Sequence, residues 1–426
     1  MAMTPHSLLT IAAELLCAVL TDTQGANYTF SRYFQDHPRF GSRDRRTLAD
    51  AVYGCLRRLR SLGYALGQPE RPNDWHLTAT EARVRLAAWM LTEGHWGKDE
   101  IRTALGADAD LLPANFAANP PPAVAADLPD WLYDALTSEL DAAEIRALAE
   151  ALAQPASLDL RVNTLRTNRA AVVRQLQEEG IEATPTPLSA VGLRLPARIS
   201  LTESERYRQG LVEVQDEGSQ LIAPLLAPRR HELVVDFCAG AGGKTLHLGV
   251  LMANTGTLHA FDPAPRRLDQ LRLRTERAGI TTVRIARIDN LTAGPILALR
   301  GKADRVLVDA PCTGTGTLRR RPDIKWRHHD LPHLTTEQRR ILAAAATLVR
   351  PGGRLVYATC SLLRAENEAI VEDFLAAHPN FVQIPPHFPS MRPDLPPLFS
   401  KEVPALRLYP HRHRTDGFYA ALLERN

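Results

Sequence analysis

Two cysteines 48 residues apart carry the strongest chemical signal in the chain. Val308-Asp309-Ala310-Pro311-Cys312 and Tyr357-Ala358-Thr359-Cys360-Ser361 each place a thiol just past an apolar run that reads as a buried strand. A thiolate can add to an electron-poor carbon and later leave from it. Open α/β sheets bring the carboxyl ends of their strands to one crevice, so thiols at two strand ends face a common substrate. A third stretch, Leu233-Val234-Val235-Asp236-Phe237, runs into Cys238-Ala239-Gly240-Ala241-Gly242-Gly243-Lys244-Thr245. This is a strand followed by a glycine-rich turn, where backbone amides approach a nucleotide-like cofactor. Cofactor turn and paired cysteines together point to covalent chemistry on a substrate bound beside the cofactor.

The composition of the turn narrows the cofactor. A triphosphate-binding loop needs glycine where Cys238 stands, and the dinucleotide fingerprint needs a small residue where Thr245 stands. Asp262 ends the second strand, where a carboxylate accepts hydrogen bonds from ribose hydroxyls. The third strand leads to Asp289, placed for an adenine amino group, and the fourth to Asp309. A small-residue turn with three acidic positions in strand order fits S-adenosylmethionine, held by residues 238 to 244, Asp262, Asp289 and Asp309.

These residues need a scaffold, and the 426-residue chain with 45% hydrophobic and 23% charged residues is long enough for several domains. Residues 1–125 read as all-helical, with apolar positions at helical spacing over 7–20, 47–62 and 80–92. Asn119-Pro120-Pro121-Pro122 breaks that pattern as a linker. Residues 126–225 read as one helix (130–153) and then a small α+β module with strands at 157–163, 191–195 and 211–215 and a helix at 168–179. Residues 226–426 alternate strands (233–237, 257–261, 282–286, 305–308, 353–358) with helices (244–253, 264–278, 335–349, 365–377). That alternation predicts a doubly wound parallel α/β sheet. After a proline-rich loop between Pro379 and Pro410, residues 416–423 read as a last, antiparallel strand. A fragment starting near residue 126 is expected to fold by itself.

Charge and cysteine usage set the context. Five scattered cysteines make no disulfide framework, and the N-terminus has neither a basic start nor an unbroken apolar stretch, so a reducing, cytoplasmic setting is expected, without a membrane span. Cys17 and Cys55 fall in apolar helical patterns and read as packing residues. His328-His329 and His411-Arg412-His413 lack companions at ligand spacing, so no metal is assigned. A net charge of +3 excludes a globally basic nucleic-acid binder. The run Arg319-Arg320-Arg321-Pro322-Asp323-Ile324-Lys325-Trp326-Arg327 concentrates positive charge beside a tryptophan. Directly after the Cys312 motif, it reads as phosphate contacts from Arg319, Arg320 and Lys325 with Trp326 as an exposed stacking platform.

The motifs CAGAGGKT (238–245), DAPCTGTGTLRRRPDIKW (309–326) and YATCS (357–361) resemble those of the Nop/Sun family of RNA cytosine-C5 methyltransferases. LRVN (160–163), VQDEGSQL (214–221) and TDGFY (415–419) extend the likeness over residues 125–426, with alanine at Ala241 where the family has proline. Arg43 to Arg46 and Tyr53 to Arg58 resemble, more weakly, the NusB-like RNA-binding helical domain of bacterial members that act on small-subunit ribosomal RNA. The resemblance implies a Rossmann-like S-adenosylmethionine-dependent methyltransferase domain. It implies action on a cytosine of 16S ribosomal RNA or an early small-subunit assembly intermediate, and a monomer is expected. In it Cys360 is the nucleophile, Cys312 assists release of the product, and Asp309 and Lys244 stabilise the activated base. Pro-Cys is the nucleophile motif in DNA cytosine-C5 methyltransferases, so the residues alone leave the two thiol roles open to exchange. A tRNA-directed enzyme, or a nonenzymatic ribosome-assembly factor on the same fold, would share the scaffold.

Overall fold

The structure is a computed structural model and describes residues 3–68, 70, 74–196, 204–386, 398–399 and 404–426. Much of the proline-rich stretch expected after Pro379 lies outside the described residues. The chain divides into two units, one made of Met1–Pro155 with Thr317–His329, the other of Ala156–Gly316 with Asp330–Asn426. The first division falls at Pro155/Ala156, beyond the sequence boundary near residue 125.

Every regular element among the described residues of the first unit is a helix, the longer ones being Pro5–Thr21, Ala26–Asp36, Ser42–Arg57, Ala79–Thr92 and Ala142–Ala153. Thr4 caps the first through Ser7 N, and Thr78 with Glu81 forms a capping box on the fourth. Leu9, Leu15, Leu16, Leu48, Leu56 and Leu86 meet in its core, each 0% exposed. The single helix expected over 130–153 is two, Asp130–Thr137 and Ala142–Ala153, because the Asp141 side chain accepts from Glu144 N and starts a new helix. Among the described residues no helix is long and apolar enough to cross a membrane.

The charge run after Cys312 is the largest departure from expectation. Pro322–Trp326 forms a short 3-10 turn packed into this helical unit. Trp326 is 3% exposed, its Nε1 donates to Leu56 O at 2.7 Å, and its ring lies 4.4 Å from that of Trp75. Lys325 is 4% exposed and donates to Arg57 O at 3.0 Å and Asp127 O at 2.6 Å. Buried Asp323 pairs with Arg327 at 2.7 Å. The expected exposed tryptophan and phosphate-contacting lysine are therefore corrected: with their polar atoms spent on backbone carbonyls, Lys325 and Trp326 are anchors inside the unit. Arg319 and Arg320 are half-buried. A chain cut at residue 126 would strip the helices that cover Ile324, Lys325 and Trp326, so this segment would lose its packing partners.

The second unit holds two sheets. β1 (Leu158–Val162), β2 (Thr184–Pro185), β3 (Gly192–Leu195) and β4 (Val212–Val214) form an antiparallel sheet in the order β2-β3-β1-β4. The helix Arg169–Glu178 packs on it through Val172 and Leu176. The larger sheet comprises β5 (Leu233–Asp236), β6 (Thr257–Asp262), β7 (Val283–Arg287), β8 (Ala303–Asp309), β9 (Val349–Thr359), β10 (Phe381–Ile384), β11 (Ala405–Leu408) and β12 (Phe418–Arg425). Its order is β10-β12-β9-β8-β5-β6-β7, with β11 pairing β12. β5 to β9 are parallel, and β12 enters antiparallel beside β9, as the alternation predicts. The short edge strands β10 and β11 were not legible in the sequence. Val234, Val235, Val306, Leu307, Val308, Leu355 and Val356 are all 0% exposed, the two-sided burial of a parallel sheet covered on both faces. From β5 the chain runs outward one way through β6 and β7, then returns to start β8 on the other side of β5. The carboxyl ends of β5 and β8 flank that reversal, where open α/β sheets bind their ligands.

Candidate active site

The turn after β5 is shaped by close packing on one side and by openness on the other. Gly242 sits at φ +88°, and a Cβ there would lie 2.1 Å from Leu271 Cδ1, so only glycine fits. At Gly240 a Cβ would meet nothing within 4 Å, so the turn keeps an open cradle in front of the helix Gly243–Leu251. Asp262, 3% exposed, holds this cradle, accepting from Gly240 N at 3.0 Å and Ala264 N at 2.8 Å. Two arginines brace it from behind. Arg274 donates to Ala241 O at 2.7 Å while paired with Glu213 of β4, and Arg161 of β1 donates to Gly243 O at 2.6 Å and to Gln215. The small sheet therefore supports the cofactor turn. Asp289 lies past β7, 64% exposed, paired with Arg287 at 2.6 Å. Cys238 and Ala239 belong to the turn, and burial followed by the charges of Asp236, Asp309 and Asp262 pushes the Cys238 thiol well up, which leaves it unreactive.

Beneath the turn lies a carboxylate that sequence reasoning treated as part of a strand. Asp236 is 0% exposed; its Oδ2 accepts from Thr245 Oγ1 at 2.6 Å and its Oδ1 has no hydrogen-bond partner. Burial pushes its pKa up to about 7, with Asp309 and Asp262 adding to the rise and Thr245 and Lys244 opposing it.

The predicted catalytic groups come together at the ends of β8 and β9. Lys244 Nζ donates to Asp309 Oδ2 at 2.7 Å and lies 5.4 Å from the Phe418 ring centroid. Burial works against the lysine's charge, but Asp309, reinforced by Cys360 and Asp236, outweighs it and the pKa is raised. The two sulfurs, Cys312 Sγ and Cys360 Sγ, are 3.4 Å apart. Contact with the Cys360 sulfur, then burial, then the negative charges of Cys360 and Glu366 push the Cys312 thiol well above its usual range. The loops fit because Gly316 has no side chain: a Cβ there would stand 2.2 Å from Gly417 O and 2.8 Å from Cys360 O, and Gly316 N donates to Cys360 O at 2.8 Å. The arrangement can hold one thiolate next to an ammonium, with a second thiol touching it.

Of the sequence-predicted residues, Cys238, Ala239, Gly240, Ala241, Gly242, Gly243, Lys244 and Asp262 form the turn and its support, and Lys244, Asp309, Cys312 and Cys360 form the reactive cluster. Asp289 stays at the exposed edge. Lys325 and Trp326 are buried in the helical unit. Arg161, Arg274, Asp236 and Glu366 were missed as site residues. Arg161 lay in the quoted LRVN motif, whereas Glu366 and Arg274 gave no local signal, since their partners are remote in sequence.

The 16S rRNA methyltransferase RsmB/F family profile matches residues 223–424, and the ferredoxin-like domain of RsmF/B-like methyltransferases matches residues 128–202. The Synechocystis sp. protein named "Probable ribosomal RNA small subunit methyltransferase B" is 32% identical over 449 residues, covering 97% of this chain and 99% of its own length. Among solved structures, the crystal structure of PH0851 is 28% identical with a TM-score of 0.79 over 100% of both chains. A methyltransferase homolog protein from Pyrococcus horikoshii is 30% identical with a TM-score of 0.58, over 70% of this chain and 99% of its own.

Proposed function

The chain belongs to the 16S rRNA methyltransferase RsmB/F family, and from that premise we propose that it transfers a methyl group from S-adenosylmethionine to carbon 5 of a cytosine in 16S ribosomal RNA. The observation that carries this reading is the pair of sulfurs 3.4 Å apart next to the Lys244–Asp309 pair. Methyl transfer to oxygen or an exocyclic nitrogen needs no such nucleophile, whereas carbon 5 of cytosine must first be activated by addition of a thiolate to carbon 6.

When bound, S-adenosylmethionine would supply an electrophilic methyl group, the S–CH3 bond breaking as the neutral thioether S-adenosylhomocysteine departs. The Gly240 cradle with Asp262 would hold it, and Asp289 is proposed for its adenine. The Cys360 sulfur is among the groups that favour the charged form of Lys244, so an ammonium accompanies the attacking sulfur. The Cys360 sulfur donates an electron pair to form a bond with carbon 6, and the electrons of the 5,6 double bond become available at carbon 5. Asp309, with one oxygen taken by Lys244, offers the other to accept from the N4 amino group and so orients the base, while the Lys244 ammonium steadies the negative charge that develops on the ring. Carbon 5 takes the methyl group; a solvent base then removes its proton, the 5,6 double bond re-forms, and Cys360 leaves as thiolate with assistance from Cys312. The base must be unstacked to reach the thiol, so a loop or flipped nucleotide is the substrate. Arg319 and Arg320 are proposed phosphate contacts, and the helical unit is proposed to place the RNA.

Bisulfite sequencing of 16S rRNA with and without the gene tests the product: one cytosine should lose its protection when the gene is removed. With purified protein, S-adenosylmethionine and target RNA, Cys360→Ala should be inactive and form no adduct. Cys312→Ala should methylate, release slowly and accumulate a protein–RNA band on a denaturing gel. An adduct from Cys360→Ala and none from Cys312→Ala would exchange the roles, and unaltered 16S rRNA would remove the reading.

A further inference from the structure

One buried carboxylate links both cysteine loops. Glu366 is 0% exposed and lies between β9 and the helix Glu368–Ala377. Its Oε1 accepts from Thr313 N at 2.8 Å and from Gln338 Nε2 at 3.0 Å; its Oε2 accepts from Thr313 Oγ1 at 2.6 Å and from Ser361 Oγ. Thr313 follows Cys312 and Ser361 follows Cys360, so a single side chain grips the residue after each cysteine. Gln338 extends the grip, its Nε2 also donating to Pro311 O at 2.9 Å, while Tyr357 OH donates to Glu366 O at 2.7 Å.

All four donors to the carboxylate are neutral. Neutral donors solvate a carboxylate without cancelling its charge, and Glu366 is one of the groups that raise the Cys312 thiol. The groups facing the thiol pair are unequal. Cys312 meets Glu366, Cys360 and Tyr357, which carry no positive charge, whereas Cys360 meets Lys244. Two sulfurs 3.4 Å apart share at most one negative charge easily, and the groups around Cys312 disfavour that charge there.

We propose that Glu366 is a positioning residue that locks the two cysteine loops together and keeps the proton of the thiol pair on Cys312, leaving Cys360 as the attacking sulfur. This deepens the thiol roles proposed above and rests on them. Nothing in the local sequence marks Glu366, because its function depends on donors contributed by three separate segments.

Glu366→Gln tests the charge while sparing the shape. The Thr313 and Ser361 hydroxyls can turn to accept from the new amide nitrogen, and the amide oxygen still accepts from Thr313 N and Gln338. Iodoacetamide alkylation across pH, with the Cys312 peptide quantified by mass spectrometry, should show the Cys312 midpoint falling by about one pH unit. An unchanged Cys312 midpoint in a folded Glu366→Gln protein would overturn the proposal. Ser361→Ala tests the lock, since it leaves the charge and unhooks the Cys360 loop. Single-turnover methyl transfer should slow by roughly ten- to a hundredfold at unchanged RNA affinity, with the Cys312 midpoint held. A wild-type rate would overturn the positioning role, and this arm decides alone if Glu366→Gln does not fold. Alkylation needs neither RNA nor cofactor, so a protein that shows the Cys312 shift but leaves 16S rRNA unmodified would sink the proposed reaction and not the proton placement.

Discussion

Lys244 and Lys325 are two of only five lysines in the chain, and each stands in a dense motif. Both are enclosed, in different units, and their surroundings push them in opposite directions. Lys244 faces the Asp309 carboxylate at 2.7 Å, and its charge is held above the usual lysine range in spite of burial. Lys325 donates to two backbone carbonyls, with Asp127 favouring its charge and Arg57 and Arg58 opposing it, and burial brings it down to about 8. A lysine held by a carboxylate at a sheet's ligand-binding end is equipped to act on a substrate. A lysine that caps backbone carbonyls is equipped to hold a fold. Partner chemistry separates the two roles, and charge density along the sequence does not.

The largest expected effect lies on the Lys244 side. Lys244→Met should lower the rate of methyl incorporation into target RNA by roughly 10²- to 10³-fold, the usual scale for removing one preorganised electrostatic group. A rate within twofold of the parent would make the Lys244–Asp309 pair structural and erase the contrast. On the other side, Lys325→Met strands two backbone carbonyls and removes a positive charge that favours the buried Asp127 carboxylate, and should destabilise the helical unit by about 2–4 kcal/mol in urea unfolding. Its RNA binding should keep the parent's salt dependence. If Lys325 instead neutralises a phosphate, the slope of log affinity against log salt falls by roughly 0.7 to 0.9 with stability intact.

How much of this was legible in the sequence follows from the range of each interaction. The parallel strands and the turn after β5 were legible because periodicity and glycine placement are local; both cysteines and Asp309 stood at predicted strand ends, and Lys244 in the predicted turn. The burial of Trp326 was not legible. Arginines and a tryptophan in one run look alike whether they meet solvent or a helical unit whose sequence lies some 260 residues away, as the bond from Trp326 to Leu56 O does, spanning 270 positions. Glu366, Arg161 and Arg274 escaped for the same reason, since each works through remote partners: Arg274 reaches Glu213 across 61 positions and Arg161 reaches Gly243 across 82. Asp236 was visible as a residue, but its burial with Oδ1 unpartnered was not.

The last contrast lies in a sign, because Asp236 in one unit and Lys325 in the other are enclosed groups that titrate away from their ordinary values in opposite directions. Asp236 sits at about 7 against an ordinary 3.8, so the folded state binds its proton more firmly than the unfolded chain. Its stabilising contribution is full below pH 3.8 and is lost as pH rises through about 7. Lys325 sits at about 8 against 10.5, so the unfolded chain binds the proton more firmly. Its contribution is full above pH 10.5 and is lost as pH falls through about 8. Urea unfolding across pH, with the parent compared to Asp236→Asn and Lys325→Met, isolates each term. The stability difference between the parent and Asp236→Asn should move against the parent by roughly 2–4 kcal/mol as pH rises from acid to neutral. The difference between the parent and Lys325→Met should move in the parent's favour by roughly 1–3 kcal/mol from neutral to alkaline pH. Equal signs, or flat differences in both windows, would mean that the two groups are solvated alike and that enclosure does not distinguish the site from the anchor.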